Sequence, residues 1–172
     1  MIERSSDVEA LAASVPDAAG VVFVPALAGL GAPHWRADAR GAFFGMTRGT
    51  TKAHLARAVL DGIALQIVDL LDAMAADADA PVARLRVDGG AAANDLLMQT
   101  QSDLLAVTID RPPMLEATGL GAALVAGLGA GLFDSLDALS HHWRSEKSFS
   151  PERDEFWRTS QRQQWASATE RC

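Results

Sequence analysis

The chain has 172 residues, of which 49% are hydrophobic and 22% charged, and its formal net charge is −7. This size and composition are typical of one globular domain with a sizeable core. The acidic balance argues against a nucleic-acid partner, since no basic stripe offsets it. The chain shows no apolar run of about 18 residues and no basic-then-apolar leader. Its one cysteine, Cys172, excludes an internal disulfide, so we expect a cytoplasmic protein with no membrane partner.

The first half of the chain predicts two helices, a strand and a long loop. Residues 6–9 (Ser-Asp-Val-Glu) have the pattern of a capping box that opens a short helix, which Pro16 would end. Residues 21–24 indicate a buried strand, residues 29–49 an ordered glycine-rich loop, and residues 76–81 a surface loop. Thr50 or Thr51 should cap a long helix between these loops. Its expected core stripe consists of Leu55, Val59, Ile63, Ile67, Leu71 and Met74.

The second half alternates strands with helices, which predicts an α/β fold. We expect a strand over 84–88, a helix over 94–105 and a strand over 107–109. Thr118 should then cap a helix rich in small residues, whose glycines imply close backbone packing or a ligand at the helix start. A short helix over 135–142 and a terminal helix that starts at Ser150-Pro151 should follow.

The most informative stretch is the turn from Val87 to Asn94, with the sequence Val-Asp-Gly-Gly-Ala-Ala-Ala-Asn. Glycine allows a ligand to approach the main chain closely. The helix that follows would offer free N–H groups to phosphate or ribose oxygens, and the Asn94 amide can both donate and accept. By spacing alone, a tight turn without a ligand is the stronger interpretation, because adjacent glycines do not match the dinucleotide-binding fingerprint.

This turn is one of four runs that occur in the order of a known kinase family. The others are Gly-Leu-Gly-Ala-Pro-His-Trp at 29–35, Arg-Gly-Ala-Phe-Phe-Gly at 40–45 and Glu-Ala-Thr-Gly-Leu-Gly at 116–121. Together they resemble the C-terminal part of the glycerol kinases, in the sugar-kinase family of the actin, Hsp70 and ribonuclease H-like ATPases. The sequence departs from that family at His34, where Tyr is frequent, and at Asp95, where a second Asn is common.

The resemblance implies that residues 1–172 form a partial ribonuclease H-like (actin-like ATPase) domain, the distal part of a C-terminal kinase domain. The N-terminal domain, the first strands of the C-terminal domain, the glycerol contacts and the catalytic aspartate would lie upstream, with Met1 an internal methionine. The implied activity is ATP-dependent phosphorylation of glycerol to sn-glycerol 3-phosphate, with an aspartate base and Mg²⁺. The chain alone should be inactive, and glycerol would bind only through the missing part.

The resemblance also assigns the nucleotide contacts. Gly90 and Asn94 match positions whose main chain and amide meet the adenosine part of ATP or ADP, and Gly89 shapes the turn. Asp88 should order the turn through its carboxylate instead of acting as a base. No residue here is assigned to catalysis or to a metal, since Mg²⁺ would be held mainly by phosphates and residues outside this chain.

Other polar residues have weaker claims to function. Thr118, Gly119 and Gly121 either direct helix N–H groups towards the cleft or pack structurally. Structural roles are expected for the remaining candidates in the loops, and none of the histidines shows metal-ligand spacing. These candidates are Arg40, Arg48, His34 with Trp35, and His141 with His142.

Two alternative functions stay open. One is a stand-alone module that binds a nucleotide or a partner without catalysis, which would require nucleotide binding by the chain alone. The other is a fragment of a sister kinase such as xylulokinase, which the run at 29–35 disfavours. In either kinase the strand at 84–88 would pair with strands upstream of Met1, so we expect an open sheet edge and self-association through it.

Overall fold

The structure is a computed structural model that describes residues 2–140 and 143–172. Helices and strands alternate through most of this range, which confirms the α/β class. No described helix is both long enough and apolar enough to span a bilayer. In chain order the elements are α1 (Asp7–Ala13), β1 (Val22–Val24), β2 (Ala42–Phe44), α2 (Lys52–Ala78), β3 (Arg84–Arg86), a 3₁₀ turn (Gly90–Ala93), α3 (Asp95–Leu105), β4 (Thr108–Arg111), α4 (Ala117–Gly129), α5 (Leu136–Ser140), β5 (Lys147–Phe149) and α6 (Glu155–Thr169).

Two small sheets organise the described residues. β1 and β2 form an antiparallel pair. In the second sheet β3 and β4 are parallel and β5 joins β4 antiparallel, so that Leu85, Ile109 and Phe149 stand side by side. Because alternate residues of a strand point to opposite faces, these three share the face that packs against the core. β3 is hydrogen-bonded on one side only within the described chain, which leaves its other edge open.

The core centres on α2, which lies directly against β1. A Cβ added at Gly62 would collide with the carbonyl oxygen of Phe23, so the two backbones are in contact there. Small residues therefore dominate the buried positions of α2. Of the predicted stripe of large residues, Leu55 and Ile63 pack against the core from partly buried positions, whereas Met74 is 54% exposed. The buried residues are Ala53, Ala56, Ala58, Leu60, Gly62, Ala64, Leu65 and Val68.

Two strands were not predicted. β2 lies inside the segment that we expected to be a loop at 29–49, and β5 lies just before the expected start of the terminal helix. That helix, α6, begins at Glu155 and not at Pro151, because Asp154 caps it: Asp154 Oδ1 accepts from the Trp157 N–H at 2.8 Å. α2 also continues to Ala78, into the segment predicted as a loop.

The predicted helix caps were right in one case and wrong in two. Thr51 is the N-cap of α2, where His54 Nδ1 accepts from the Thr51 N–H at 3.1 Å. Ser6 makes no side-chain cap at α1, and its expected partner Glu9 bonds to α3 instead. Thr118 lies inside α4, whose N-cap position is Glu116. Of the helix predicted over 135–142, the last two residues lie outside the described chain.

Candidate functional site

The turn between β3 and α3 is shaped by backbone hydrogen bonds. The Gly89 N–H donates to the Leu115 carbonyl at 2.8 Å, and Gly89 has φ +84°, a conformation that favours glycine. The 3₁₀ turn follows at once, and the Ala92 N–H donates to the Gly89 carbonyl at 3.1 Å. Asn94 is extended and forms the N-cap of α3. Gly89 thus changes the direction of the chain, and Gly90 is the first residue after this bend.

Side chains already bond the first amides of α3. Asn94 Oδ1 accepts from the Leu97 N–H at 2.8 Å, and Glu9 Oε1 accepts from the Leu96 N–H at 3.1 Å. The expectation that this helix end offers free N–H groups to phosphate or ribose oxygens is therefore wrong for Leu96 and Leu97, whose donors are satisfied within the chain. The Glu9 carboxylate also places negative charge where a phosphate would need positive charge.

A cavity of about 570 Å³ lies beside the turn. Gly90 and Asn94 line one part of it, and Ser5 and Ser6 line another. No described atom lies within 4 Å of the place where a Cβ on Gly90 would be, so the main chain there is open to a ligand. The remaining lining is mostly apolar, apart from Glu9, and consists of Val8, Leu60, Ile63, Ala91, Ala93 and Leu97.

The cavity offers a ligand a few neutral polar groups. The first N–H groups of the 3₁₀ turn, at Gly90 and Ala91, have no partner inside that turn by its geometry. Asn94 uses its Oδ1 for the cap, which leaves its Nδ2 amide as a donor. Apolar walls with few neutral donors suit a flat uncharged group, such as a nucleoside, better than a phosphate.

Charged side chains hold the turn from the neighbouring strands. Arg111 Nη1, at the end of β4, donates to the carbonyls of Ala92 and Ala93 at 2.9 and 3.3 Å and to Asp95 Oδ1 at 2.7 Å. Lys147 Nζ in β5 donates to Asp95 Oδ2 at 2.6 Å. The hydrogen bond from Lys147 and the neighbouring Arg111 lower the pKa of the Asp95 carboxyl, against a smaller opposing effect of burial.

Sequence reasoning missed Arg111, Lys147 and Glu9 as parts of this site. Each reaches the turn from an element distant in sequence, and Glu9 is separated from Leu96 by 87 positions. The sequence gives only weak local signals for two of them. Arg111 is a charged residue at the end of a strand, before Pro112-Pro113, and Glu9 lies in a capping-box pattern. Neither pattern shows what the side chain contacts.

Asp88 does not have the predicted role. Its side chain is exposed and accepts no hydrogen bond from the turn in the described chain, and the backbone bonds of Gly89 and Ala92 supply the order instead. Asp88 lines a separate cavity of about 220 Å³, in which the Arg86 guanidinium lies 3.9 Å from the centre of the Trp143 ring.

The small residues of α4 do not approach the cavity. Thr118 and Gly119 are exposed, and no described atom lies within 4 Å of a Cβ placed on Gly119 or Gly121. Gly127 alone meets a neighbour, the ring of Phe133, at 2.8 Å from such a Cβ. Close packing therefore explains one glycine of the described helix and none at its start, and a ligand at the helix start stays a prediction.

The loop residues have structural surroundings. His34 Nε2 lies 2.7 Å from Asp69 Oδ2, which also accepts from Trp165 Nε1 at 2.7 Å. Arg40 donates to carbonyls of its own loop. Trp35, in contrast, is 79% exposed, so the expected packing fails there.

The other side chains considered as functional candidates form no site. Arg48 is exposed. His141 and His142 lie outside the described residues. Within the described ranges, no group of three His, Cys, Asp or Glu side chains could hold a metal ion.

Residues 2–130 match the C-terminal domain of the FGGY family of carbohydrate kinases. The chain is 59% identical over 172 residues to the glycerol kinase of Aromatoleum aromaticum. It is 56% identical over 172 residues to the glycerol kinase of Myxococcus xanthus. All of this chain is covered in both comparisons, but it spans only about a third of each relative, 35% of its length.

Solved structures of kinases share the fold. The crystal structure of Plasmodium falciparum glycerol kinase with ADP has a TM-score of 0.89 at 37% identity, and the match covers 99% of this chain and 34% of that one. The gluconate kinase of Lactobacillus acidophilus has a TM-score of 0.82 at 25% identity, covering 98% of this chain and 35% of the other. The ligand-bound xylulose kinase of the same species has a TM-score of 0.81 at 25% identity, with the same two coverages.

Proposed function

The chain belongs to the FGGY family of carbohydrate kinases, and from this premise we propose that it supplies the adenosine-binding part of a glycerol kinase. The parent reaction is ATP-dependent phosphorylation of glycerol to sn-glycerol 3-phosphate. The choice of glycerol rests on 59% identity to a glycerol kinase, compared with 25% to the gluconate and xylulose kinases. A stand-alone binding module and a sister kinase therefore rank below it.

One observation carries the proposal: the main chain at Gly90 is open towards a mostly apolar cavity. A base and its ribose can lie flat against the main chain at Gly90, where no side chain intervenes. The Asn94 amide is positioned to donate to them, because its oxygen is fixed by the cap to Leu97. The Leu96 and Leu97 amides of α3 are already used, so the phosphates of a bound nucleotide would extend out of this cavity.

In the proposed parent, the residues described here bind and orient the nucleotide. Residues outside this chain would provide the catalytic aspartate and contact glycerol. Mg²⁺ would neutralise charge on the phosphates and be held mainly by them. We propose that the N-terminal domain and the first strands of the C-terminal domain belong to that longer parent. Half of a cleft cannot position two substrates, so the chain alone should have little or no kinase activity.

Calorimetric titration of the 172-residue chain tests this proposal. We expect adenosine and ADP to bind with similar affinity, because the cavity recognises the nucleoside, and pyrophosphate not to compete. Gly90→Val should abolish most of the signal, since its methyl groups would occupy the cavity. Competition by pyrophosphate with no binding of adenosine would contradict the assignment, and so would the absence of nucleotide binding altogether.

We also propose that the open edge of β3 pairs with another strand, from the parent or from a second copy of the chain. The Val87 N–H donates to the Asp110 carbonyl of β4, and amides alternate in direction along a strand, so the Arg86 amide faces the open edge. Light scattering that rises with concentration, together with slow exchange of the Arg86 amide, would support self-association. A monomer at all concentrations with a rapidly exchanging Arg86 amide would exclude it.

A further inference from the structure

We propose that Arg111, Asp95 and Lys147 form an ionic clamp that holds the turn in its binding shape and so sets its affinity for the nucleoside. The three residues are positioning residues, because they act through the turn. This inference rests on the proposed adenosine site and adds to it the device that positions it.

Arg111 is the centre of the clamp. One of its nitrogens donates to three acceptors of the turn, the carbonyls of Ala92 and Ala93 and the carboxylate of Asp95. The Arg111 side chain is only 13% exposed, whereas the Asp95 side chain is 44% exposed, so these charge-assisted bonds are partly shielded from water. Their acceptors are the last two carbonyls of the 3₁₀ turn, immediately before Asn94.

Fixing these two carbonyls also fixes the amides that follow them. A trans peptide is planar, and its N–H points opposite to its C=O. The carbonyls of Ala92 and Ala93 point to Arg111, so the N–H groups of Ala93 and Asn94 point away from it. The orientation of the cavity wall at Ala93 and Asn94 therefore depends on Arg111.

Asp95 and Lys147 complete the clamp. Lys147 Nζ bonds the second oxygen of the same carboxylate, and both cations lie against the Phe149 ring, Arg111 at 5.5 Å and Lys147 at 5.1 Å from its centre. The Asp95 carboxylate thus bridges two positive charges that would otherwise repel each other. An asparagine at 95 would lack this charge, which gives the aspartate in this sequence a specific physical role.

The test compares Asp95→Asn with Asp72→Asn in the 172-residue chain. The control removes an ion pair of the same length, 2.6 Å between Arg162 and Asp72, at a similarly exposed carboxylate far along the chain. Adenosine is the probe, because an uncharged ligand does not respond directly to the altered protein charge. Amide exchange of residues 93–97 is measured in parallel, so that the shape of the turn is observed without ligand.

We expect Asp95→Asn to weaken adenosine binding by about two- to fivefold, the range that partly exposed ion pairs give. Exchange at 93–97 should accelerate, and Asp72→Asn should change neither quantity. Arg111→Ala should have a larger effect, with Arg111→Lys intermediate because it keeps the charge but reaches fewer acceptors. If Arg111→Ala does not fold, the Asp95→Asn and Arg111→Lys variants decide.

Equal adenosine affinity and equal exchange in the two asparagine variants would overturn the clamp. If the wild-type chain bound no adenosine, the proposed function of this chain would fail. Amide exchange at residues 93–97 would then be the only test of the clamp. Selective acceleration in Asp95→Asn would then establish that the clamp holds the turn, and indistinguishable exchange would reject it.

Discussion

Two segments rich in glycine and alanine follow the two parallel strands, and they have opposite surroundings. The turn after β3 is enclosed: Ser5, Ser6, Leu60 and Ile63 line the cavity that it faces. The helix after β4, α4, is mostly exposed, with Val125 60% exposed. Composition alone would rank α4 as the stronger ligand site, because it has more glycines.

The difference shows that small residues allow a ligand to approach but do not by themselves form a binding site. Glycine removes the obstacle to close approach, but a binding site also needs a second surface and fixed polar groups. Residues 5–9 and α2 provide that surface for the turn, and Asn94 and Arg111 provide the fixed groups. At Gly119 and Gly121 of α4 no described atom lies close to the backbone, so no second surface faces these two glycines within the described chain.

The largest effect should come from a substitution at the contact between α2 and β1. Gly62→Ala on α2 would drive a methyl group into the carbonyl oxygen of Phe23, and neither backbone can move without opening the core. We expect a loss of about 3 kcal/mol or more in the free energy of unfolding, or failure to fold. Urea denaturation measures it, and Gly119→Ala on α4 is the control. An unchanged midpoint would show that β1 does not press on α2.

Gly90→Val should separate binding from folding. No protein atom lies near its Cβ, so we expect a stability within about 0.5 kcal/mol of wild type. Adenosine affinity should fall by at least about tenfold, or 1.4 kcal/mol. Gly121→Val is the matched control, open in the same way but on α4, and should leave affinity unchanged. Equal affinity in both variants would place the nucleoside elsewhere.

The two functions of Asn94 can be separated by one change of atom. Asn94→Asp keeps an oxygen for the Leu97 N–H and so keeps the helix cap. It removes the Nδ2 donor, so adenosine affinity should fall by about fivefold, the value of one hydrogen bond. Asn94→Ala should add a stability loss of about 1 kcal/mol. If Asn94→Asp binds as tightly as wild type, the amide makes no contact with the ligand.

Much of the fold was predictable because it is encoded locally. α1, β1, α2, α3 and β4 each have an apolar period or a bounding Gly or Pro in the sequence. β2 and β5 were missed because three residues are too few to show alternation, and their pairing partners lie elsewhere in the chain. The fully buried positions of α2 were missed because most of them are Ala or Gly, which carry little hydrophobic signal.

The site was predictable only in part, for a similar reason. Gly89, Gly90 and Asn94 came from the resemblance to the glycerol kinases, and their contact with a nucleotide stays a prediction. The bonds that hold them come from distant residues: Arg111 and Asp95 are 16 positions apart, and Lys147 and Asp95 are 52 apart. Local patterns cannot contain such pairs, so the cap by Glu9 and the clamp needed the structure.

Gly121→Ala on α4 should produce a modest gain. The Cβ meets no described atom, and alanine is the better helix former by about 0.8–1 kcal/mol. We therefore expect up to that increase in the free energy of unfolding, measured by urea denaturation. A clear loss of stability would mean that α4 packs closely against something in solution, for example a second copy of the chain, and concentration dependence of the midpoint would reveal it.

The smallest expected effect is the pH dependence of stability, which reports how well Asp61 on α2 is shielded from water. Burial, the largest influence, raises the pKa of Asp61 on α2, while Arg57 lowers it less and Asp17 adds to the rise. A raised folded-state pKa gives a stability contribution that is complete below the unfolded value, near 3.8, and is lost as the pH rises through the folded one. The pKa of Asp95 is lowered, so its contribution is present above the unfolded value and is lost as the pH falls through the folded one.

The melting temperature of wild type minus that of Asp61→Asn should therefore decrease from pH 3 to pH 7. The same difference for Asp95→Asn should increase over that range, mostly below pH 4. If the difference for Asp61→Asn also increased with pH, Asp61 would be solvated in the folded chain, and α2 would be less enclosed than its contacts with β1 indicate.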